Sequence, residues 1–194
     1  MAKLASEMDA GVAAEILGRA FARDPVVSAF IREGPKRPAR LAGYFEIECQ
    51  LALAGLGEVW LDDDHLGAAI WRQPGGYPGP AGPQLRMAPR YLRLFPRELI
   101  RVSRAMNKVA RVHPREPHWY LYAVGVVPEA TSHGRGTALL EPVLRRCDAD
   151  GVPAYLEAST ADNARLYERL GFEPREEVEM VPGVRLRPMW REPR

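Results

Sequence analysis

Residues 118–137, HWYLYAVGVVPEATSHGRGT, indicate the fold of this chain. Up to Val127 they are nearly all apolar or aromatic and rich in β-branched valine, which is typical of a strand buried on both faces. Pro128 cannot donate to a strand ladder, so the strand is predicted to end there. Gly134 and Gly136 then precede a helical pattern, TALLEPVLRRCDA. A glycine-bearing turn at a helix N-terminus collects unpaired N–H groups and the positive dipole end, which favours a bound phosphate or pyrophosphate.

The length and composition of the chain favour a single domain over residues 1–194. That length supports a full-sized core but leaves little room for two domains. The formal net charge of +2 identifies no partner. Cys49 and Cys147 lie far apart, without a CxxC motif or a Cys/His cluster, so we expect free buried thiols and no metal site. The sequence has neither an apolar leader nor an apolar run of membrane length, which predicts a cytoplasmic enzyme or binding protein without a membrane partner.

The rest of the chain predicts an alternation of helices and strands. Asp24-Pro25 places a capping side chain before a proline at a helix start. The predicted order is helices within 10–55, strands 57–63 and 65–73, loop and helices 74–117, strand 118–127, a helix, strand 152–160, helix 161–172, and a hairpin around Pro182-Gly183. This order predicts the α/β class, with a mixed sheet and helices on both of its faces.

The helical segment within 74–117 carries a stripe of basic residues at helical spacing. Its members are Arg86, Arg90, Arg93, Arg97, Arg101, Arg104, Lys108, Arg111 and Arg115, and Pro96 is expected to interrupt the helix. The stripe is typical of the solvated face of an amphipathic helix pair. The alternative is a surface that attracts an anionic substrate, cofactor phosphates or nucleic acid. Nucleic acid is the weaker form of that alternative, because no interleaved aromatic residues or known binding motif accompany the stripe.

Several motifs in residues 118–172 together resemble a known family. They are V-x-V-V-P, the loop and G-R-G-x-A-L-L, the strand PAYLEAS, and N-x-x-x-Y-E-R-L-G-F. In this order and spacing the segment resembles the GNAT superfamily of acyl-CoA-dependent N-acyltransferases. The resemblance implies a GNAT-like fold with a splayed pair of parallel strands, and acetyl-CoA as the acyl donor. Over the first 117 residues the likeness is architectural.

The resemblance also implies roles for individual residues. The splayed strand would offer its main chain to the pantetheine arm, with Gly125 as a natural bulge position. Asn163 would bond the pantetheine or the helix start, and Tyr167 would protonate or bond the departing thiolate. Thr131 departs from the family pattern, which has glutamine or arginine there, and His133 or Arg135 would compensate with charge. The implied cofactor-binding residues are Val124, Val126, Val127, His133, Gly134, Arg135, Gly136, Thr137, Asn163 and Tyr167.

The general base stays open among several candidates. Glu157 is a carboxylate in an otherwise apolar strand, so we expect it to face a cleft or a partner, either as a catalytic residue beside Tyr167 or as a paired carboxylate that holds a loop. His118, Tyr120 and Tyr122 are further candidates, and counting by twos places them on one strand face with Val124. Asp62, Asp63 and Asp64 could line an amine site, although a solvated turn is the favoured interpretation.

The sequence predicts an enzyme that transfers an acetyl group from acetyl-CoA directly to a primary amine of a small molecule or peptide. We expect the acceptor to enter over the early helices and residues 74–117. One alternative is an acyl-CoA-binding sensor without turnover. The other is a protein that binds an anionic surface or nucleic acid through the basic stripe. The sequence leaves open the acceptor, the acyl-chain preference and the oligomeric state, including a homodimer.

Overall fold

The computed structural model describes residues 1–131 and 133–194. The helices are α1 Ala10–Ala20, α2 Pro25–Phe30, α3 Arg37–Leu51, α4 Ala81–Leu94, α5 Leu99–Val112, α6 Arg135–Asp150 and α7 Ala161–Arg169. The strands are β1 Ala2–Leu4, β2 Gly57–Asp62, β3 Gly67–Arg72, β4 Trp119–Val126, β5 Ala154–Ala158, β6 Glu173–Pro174, β7 Val178–Val181 and β8 Val184–Arg191.

The eight strands form a sheet in the order β1-β2-β3-β4-β5-β8-β6, and β7 pairs with β8. Neighbouring strands are antiparallel except for β4 and β5, which are parallel. The predicted α/β class and mixed sheet are therefore confirmed. A parallel pair needs a long crossover, and α6 supplies it between β4 and β5.

Strands β4 and β5 separate soon after they meet. Their register contains Trp119↔Ala154, Tyr120↔Tyr155 and Leu121↔Leu156, after which β4 continues to Val126 without β5 beside it. The predicted splay is present. It leaves a gap in the middle of the sheet, open toward the C-terminal end of β4.

The sequence predicted a β-bulge at Gly125, but the bulge in β4 lies at Tyr122. Ile70 pairs with Ala123 and Trp71 with Leu121, so Tyr122 is the extra residue opposite β3. Gly125 is in regular register and is needed for another reason. A Cβ at Gly125 would lie 2.5 Å from the Cβ of Ala20, because the end of α1 packs directly on this strand.

The bulge changes which side chains share a face of the sheet. Tyr122 packs against the core beneath α1 and α3, whereas Val124 packs against the core beneath α6. The prediction that Val124 lies on the same face as Tyr120 and Tyr122 is therefore wrong. Counting by twos fails because one extra residue shifts the alternation of every later side chain.

Helices cover the sheet on both faces. On one face, α1 and α3 bury Leu17 and Phe45 against Ile70, and on the other α6 buries Leu139 against Leu156. Each such fully buried side chain contributes about 1.5–3 kcal/mol. Cys49 and Cys147 are buried free thiols, as expected, and burial raises the pKa of each to about 12.

Residues 74–117 form a loop and the two helices α4 and α5, which end and begin on either side of Pro96. Most of the basic stripe is exposed; Arg90 is half-buried and pairs with Glu46 at 3.0 Å. This exposure agrees with a solvated helix face, and the anion-attracting alternative stays a prediction. Within the described ranges, no helix combines the length and apolar character that crossing a membrane requires.

Candidate functional site

The gap between β4 and β5 opens into a continuous cleft. A cavity of about 130 Å³ occupies the gap itself. A second cavity of about 760 Å³ leads from it to the start of α6. The two share Phe21, Asp24, Val124, Asn163 and Tyr167 as lining residues. Side chains from α1, α7 and the turn before α2 therefore meet the exposed edge of β4.

The main chain of β4 faces this cleft at alternate residues. Val127 donates its N–H to the Leu66 carbonyl at 2.8 Å, on the β3 side. Because alternate residues of a strand direct their hydrogen-bonding groups to opposite sides, Val124 and Val126 direct theirs away from β3 and into the gap. Val127 cannot serve as predicted, since its carbonyl also accepts a bond from Ala130.

The start of α6 forms the far wall of the cleft. Gly134 precedes the helix with φ of +72°, a left-handed conformation that favours glycine. A Cβ at Gly136 would have Leu166 Cδ2 as its neighbour at 3.9 Å, so the backbone here borders open space. The N–H groups of Arg135, Gly136 and Thr137 have no helical acceptor, because the first turn of any helix leaves them unpaired. This geometry suits an anion such as a pyrophosphate.

The Arg135 side chain is committed elsewhere. It forms ion pairs with Asp62 at 2.5 Å and with Asp64 at 2.7 Å. Because these carboxylates neutralise its charge, Arg135 does not replace the side chain that Thr131 lacks. Asp62 is buried, and it also accepts from the N–H groups of Leu66 and Gly67. Burial raises the pKa of Asp62, but these donors outweigh burial and hold the pKa below its usual value. The solvated-turn interpretation is therefore wrong for Asp62, which anchors the turn to α6.

Thr131 and His133 contribute little charge to the cleft. The Thr131 hydroxyl donates to the Pro128 carbonyl at 3.1 Å, which closes the turn after β4. His133 is exposed, and its Nδ1 lies 2.7 Å from the Thr131 carbonyl. The loop therefore offers main-chain groups to a ligand more than side chains.

Tyr167 lies where the two cavities of the cleft meet. Its side chain is buried, and its hydroxyl receives no hydrogen bond within residues 1–131 and 133–194. Burial raises the pKa of the phenol, and the nearby Asp24 carboxylate raises it further. Tyr167 is therefore a protonated, available donor at neutral pH.

A polar network supports Asn163 at the same junction. Asp24 caps α2, as predicted, by accepting from Val26 and Val27 with one oxygen. Its other oxygen accepts from the Ser159 hydroxyl at 2.6 Å, and Ser159 Oγ in turn lies 3.4 Å from Asn163 Nδ2. The Asp24 cap is visible in the sequence, but its place in the cleft depends on the hydrogen bond that it accepts from Ser159, just after β5.

Glu157 lines the inner end of the cleft and is nearly buried. Tyr120 donates to its Oε2 at 2.7 Å, and His113 Nδ1 lies 3.6 Å from its Oε1. His113 Nε2 lies 3.2 Å from His118 Nε2, and His118 Nδ1 lies 2.6 Å from the Glu116 carbonyl. If His118 donates from Nδ1, its Nε2 accepts from His113, which leaves the lone pair of His113 Nδ1 facing Glu157. Within the described residues, neither Glu157 Oε1 nor His113 Nδ1 has a hydrogen-bond partner, so these two buried atoms face each other at the inner end of the cleft.

The sequence analysis did not identify His113 as a candidate site residue. Its position follows from the turn 113–118, which folds the residue after α5 back onto the start of β4. A cavity of about 300 Å³ borders both histidines, Tyr120 and Tyr77. The sequence HPREPH, residues 113–118, has one histidine at each end and a proline next to each. That spacing is the one sequence signal that could have identified the His113–His118 pair.

A separate pocket of about 560 Å³ adjoins the cleft. Its walls come from α3, the loop 76–78, and helices α4 and α5. It meets the gap between β4 and β5 at Tyr44, Met106 and Tyr122, and the hydroxyls of Tyr44 and Tyr122 are hydrogen bonded. Residues 74–117 therefore build a compartment beside the gap, where the sequence had predicted an acceptor-side region.

Comparison with known proteins agrees with this geometry. Residues 97–172 match the model of the acetyltransferase (GNAT) family. Within that range the chain matches a GNAT acetyltransferase domain. The matched range holds α5, the splayed β4–β5 pair, the start of α6 and the α7 tyrosine, all of which border the cleft.

Solved structures resemble this chain over its whole length. A Corynebacterium glutamicum protein described as histone acetyltransferase HPA2 and related acetyltransferase has a TM-score of 0.77 and 29% identity, covering 100% of this chain and 96% of that one. A polyamine N-acetyltransferase of Drosophila melanogaster, which forms N-acetylagmatine, has a TM-score of 0.65 at 15% identity, covering 99% of each chain. The second likeness shows the shared fold alone.

Curated relatives match a shorter part of the chain. An uncharacterised N-acetyltransferase of Schizosaccharomyces pombe is 42% identical over 59 residues, which are 30% of this chain and 24% of that protein. A mycothiol acetyltransferase of Streptomyces griseus is 36% identical over 69 residues, 34% of this chain and 22% of that protein. The chain thus spans about a quarter of the length of the curated relatives it matches.

Proposed function

We propose that this protein is an N-acetyltransferase that uses acetyl-CoA to acetylate a primary amine of a small molecule. The observation that carries the proposal is the departure of β4 from β5 after Leu121. It opens a cleft that runs from the α6 N-terminus past Tyr167 to a second pocket. A donor and an acceptor could approach each other from its two ends.

The residues that border the cleft fit the parts of acetyl-CoA, which would supply the acetyl thioester. The N–H groups of Arg135, Gly136 and Thr137 would hold the pyrophosphate at the dipole end of α6. The main chain of Val124 and Val126 would pair with the pantetheine arm, and Asn163 would bond the same arm. The fit is supported by the open space next to Gly136, because a side chain at this position would take up room that the pyrophosphate needs.

Two groups would stabilise charge at the reacting centre. The Val124 N–H points into the gap and would donate to the carbonyl oxygen as negative charge develops on it. Tyr167 would donate its phenolic hydrogen to the departing thiolate sulfur in a hydrogen bond. The raised pKa of Tyr167 keeps the proton on the phenol at neutral pH, so that the donor is present when it is needed.

Glu157 would accept the proton that the amine loses, directly or through a water molecule. It is supported in this role by Tyr120, which bonds one of its oxygens, and by His113, which lies 3.6 Å from the other. Burial and the Glu157 charge raise the pKa of Tyr120, so Tyr120 stays a donor and not a base. His113 would then carry the proton outward along the cavity that it shares with His118.

The test is release of coenzyme A thiol from acetyl-CoA in the presence of amines from several classes. The panel contains monoamines, polyamines, amino acids, aminoglycosides and short peptides. We expect release that depends on at least one small amine. Measurable acetyl-CoA binding by calorimetry without release for any amine would contradict the proposal, and it would favour an acyl-CoA sensor.

A further inference from the structure

We infer that the pocket between α3, α4 and α5 selects primary amines with one positive charge and an apolar or aromatic body, and discriminates against polyamines. The inference rests on the proposed function, since it assigns the acceptor that the cleft would receive. It comes from the pocket beside the acetyl-transfer cleft and not from the cleft itself.

The pocket is lined mainly by apolar and aromatic side chains. From α3, α4 and α5 come Leu51, Tyr91, Leu99 and Val102, and Tyr77 enters from the preceding loop. Its volume of about 560 Å³ is in the range of small-molecule sites. Such a lining stabilises an apolar body by removing its surface from water.

The charges in the pocket already neutralise each other. Of the described lining residues, Glu48 and Arg72 alone are charged, and both are buried. Arg72 bonds Glu48 Oε2 at 2.5 Å, and the Tyr91 hydroxyl bonds the other oxygen. Each carboxylate oxygen thus has a donor, and the pocket has no free carboxylate to receive an ammonium group.

The buried charge of Arg72 disfavours a second ammonium group of the acceptor in this pocket. Arg72 Nη1 is buried and has no hydrogen-bond partner within the described ranges, so the guanidinium charge is satisfied on one side only. Arg72 also lies over the Tyr122 ring at 5.1 Å, which occupies one aromatic face that could otherwise bind an ammonium. Burying an ammonium group that has no carboxylate partner costs free energy, whereas burying an apolar group does not.

The inner end of the pocket suits a single amine. Tyr44 and Tyr122 meet at the junction with the cleft, and the gap beyond it holds Glu157. An amine that lies there has its nitrogen toward the reacting centre and the rest of its body among the apolar residues. A second ammonium at the far end of the same molecule would lie among Leu99, Val102 and the uncharged polar residues Ser103 and Asn107, none of which carries a compensating charge.

The experiment compares two acceptors that differ by one charge, hexylamine and 1,6-diaminohexane, with 2-phenylethylamine as the aromatic example. We expect kcat/KM for thiol release to be at least about ten-fold higher for hexylamine and 2-phenylethylamine than for the diamine. Equal or faster turnover of the diamine would overturn the inference and leave the acetyltransferase proposal intact.

Two variants one residue apart locate the effect. Leu99→Asp places a carboxylate in the pocket wall, whereas Ile100→Asp places it on the exposed side of the same helix turn, where Ile100 is 69% exposed. We expect Leu99→Asp to lower kcat/KM for hexylamine about ten-fold and to raise that for the diamine, with Ile100→Asp unchanged. An equal response of the two variants would overturn the inference. Thermal unfolding of both variants checks that each is folded.

A binding measurement separates failure of the pocket from failure of the reaction. If no amine causes thiol release, the proposed function fails, and hexylamine is then titrated by calorimetry into protein saturated with acetyl-CoA. Binding that Leu99→Asp weakens and Ile100→Asp preserves would still support the pocket assignment. No detectable binding of hexylamine, or binding that is the same in all three proteins, would overturn it.

Discussion

Tyr120 donates its phenolic hydrogen to Glu157 Oε2 at 2.7 Å, although the two residues are 37 positions apart in the sequence. Tyr120 lies in the part of β4 that pairs with β5. Glu157 comes directly after Leu156, the last residue of β5 that pairs with β4. The bond therefore crosses the point at which the two strands separate. It holds a nearly buried carboxylate at the inner end of the cleft, where a proton acceptor would be needed.

Glu157→Gln is expected to lower kcat for amine-dependent thiol release by about 10²-fold, because an amide cannot accept the proton. Binding of acetyl-CoA should change little, since Glu157 lies at the opposite end of the cleft from α6. The measurement is steady-state kinetics at saturating acetyl-CoA. Glu168→Gln, an exposed carboxylate on α7, is the control. Full activity of the Glu157→Gln protein would assign the base elsewhere.

Tyr167→Phe is expected to lower kcat by about 10²-fold while the affinity for coenzyme A stays nearly unchanged. The phenol has no hydrogen-bond partner among the described residues, so its loss should leave packing and thermal stability intact. Single-turnover thiol release and calorimetric titration of coenzyme A measure the two quantities. Wild-type rates in this variant would remove Tyr167 from the mechanism.

Gly125→Ala is expected to lower the free energy of unfolding by about 1–3 kcal/mol, because the added Cβ would lie 2.5 Å from the Ala20 Cβ. Gly11→Ala in α1 is the matched control. A Cβ at Gly11 has no atom within 4 Å, so this variant should be neutral or more stable by up to about 1 kcal/mol. Urea denaturation measures both. Equal effects would contradict the close contact between α1 and β4.

Gly136→Ala is expected to weaken acetyl-CoA binding about ten-fold without loss of stability. The new methyl group would extend into the open space at the start of α6, where the nearest protein atom is Leu166 Cδ2 at 3.9 Å. Gly82→Ala in α4, which also faces open space, is the control for a helical glycine. Calorimetric titration of acetyl-CoA is the measurement, and unchanged affinity would argue against a ligand at this helix start.

The stability of the protein should fall as the pH drops below 6.5 because of His118. Burial lowers the pKa of His118 below its ordinary value of 6.5. His113 and Arg175 add to this effect, and the Glu116 carbonyl and Glu157 oppose it. The contribution is fully present above the unfolded pKa and is lost as pH falls through the folded pKa. His118→Phe should flatten this part of the unfolding free energy measured against pH. Exposed His133→Gln should not, and identical slopes would contradict the assignment.

Much of the architecture follows from local signals. Pro128 ends the strand, Asp24-Pro25 starts α2, and glycines introduce α6, because these residues restrict or permit backbone conformations regardless of what packs on them. Glu157 could be singled out for a related reason, since a carboxylate in an apolar strand needs a cleft or a partner.

The errors have a common cause in non-local pairing. The bulge at Tyr122 depends on how β3 aligns with β4, and Gly125 is required by the end of α1. The main-chain groups of Val127 are used by residues 66 and 130, and the Arg135 side chain is held by two aspartates more than seventy positions earlier. Apart from Ala130, which lies three residues after Val127, none of these partners can be read from the neighbouring sequence.

By itself, the sequence determined the order of helices and strands, the strand end at Pro128 and the glycine-bearing helix start. Each depends on the covalent structure of one residue and its neighbours. The tertiary structure alone decided the position of the bulge, the pairing of Tyr120 with Glu157, the approach of His113 and the neutralised pocket around Glu48. Each of those requires two distant segments to meet, and their register is set by the packing of the whole sheet against α1, α3 and α6.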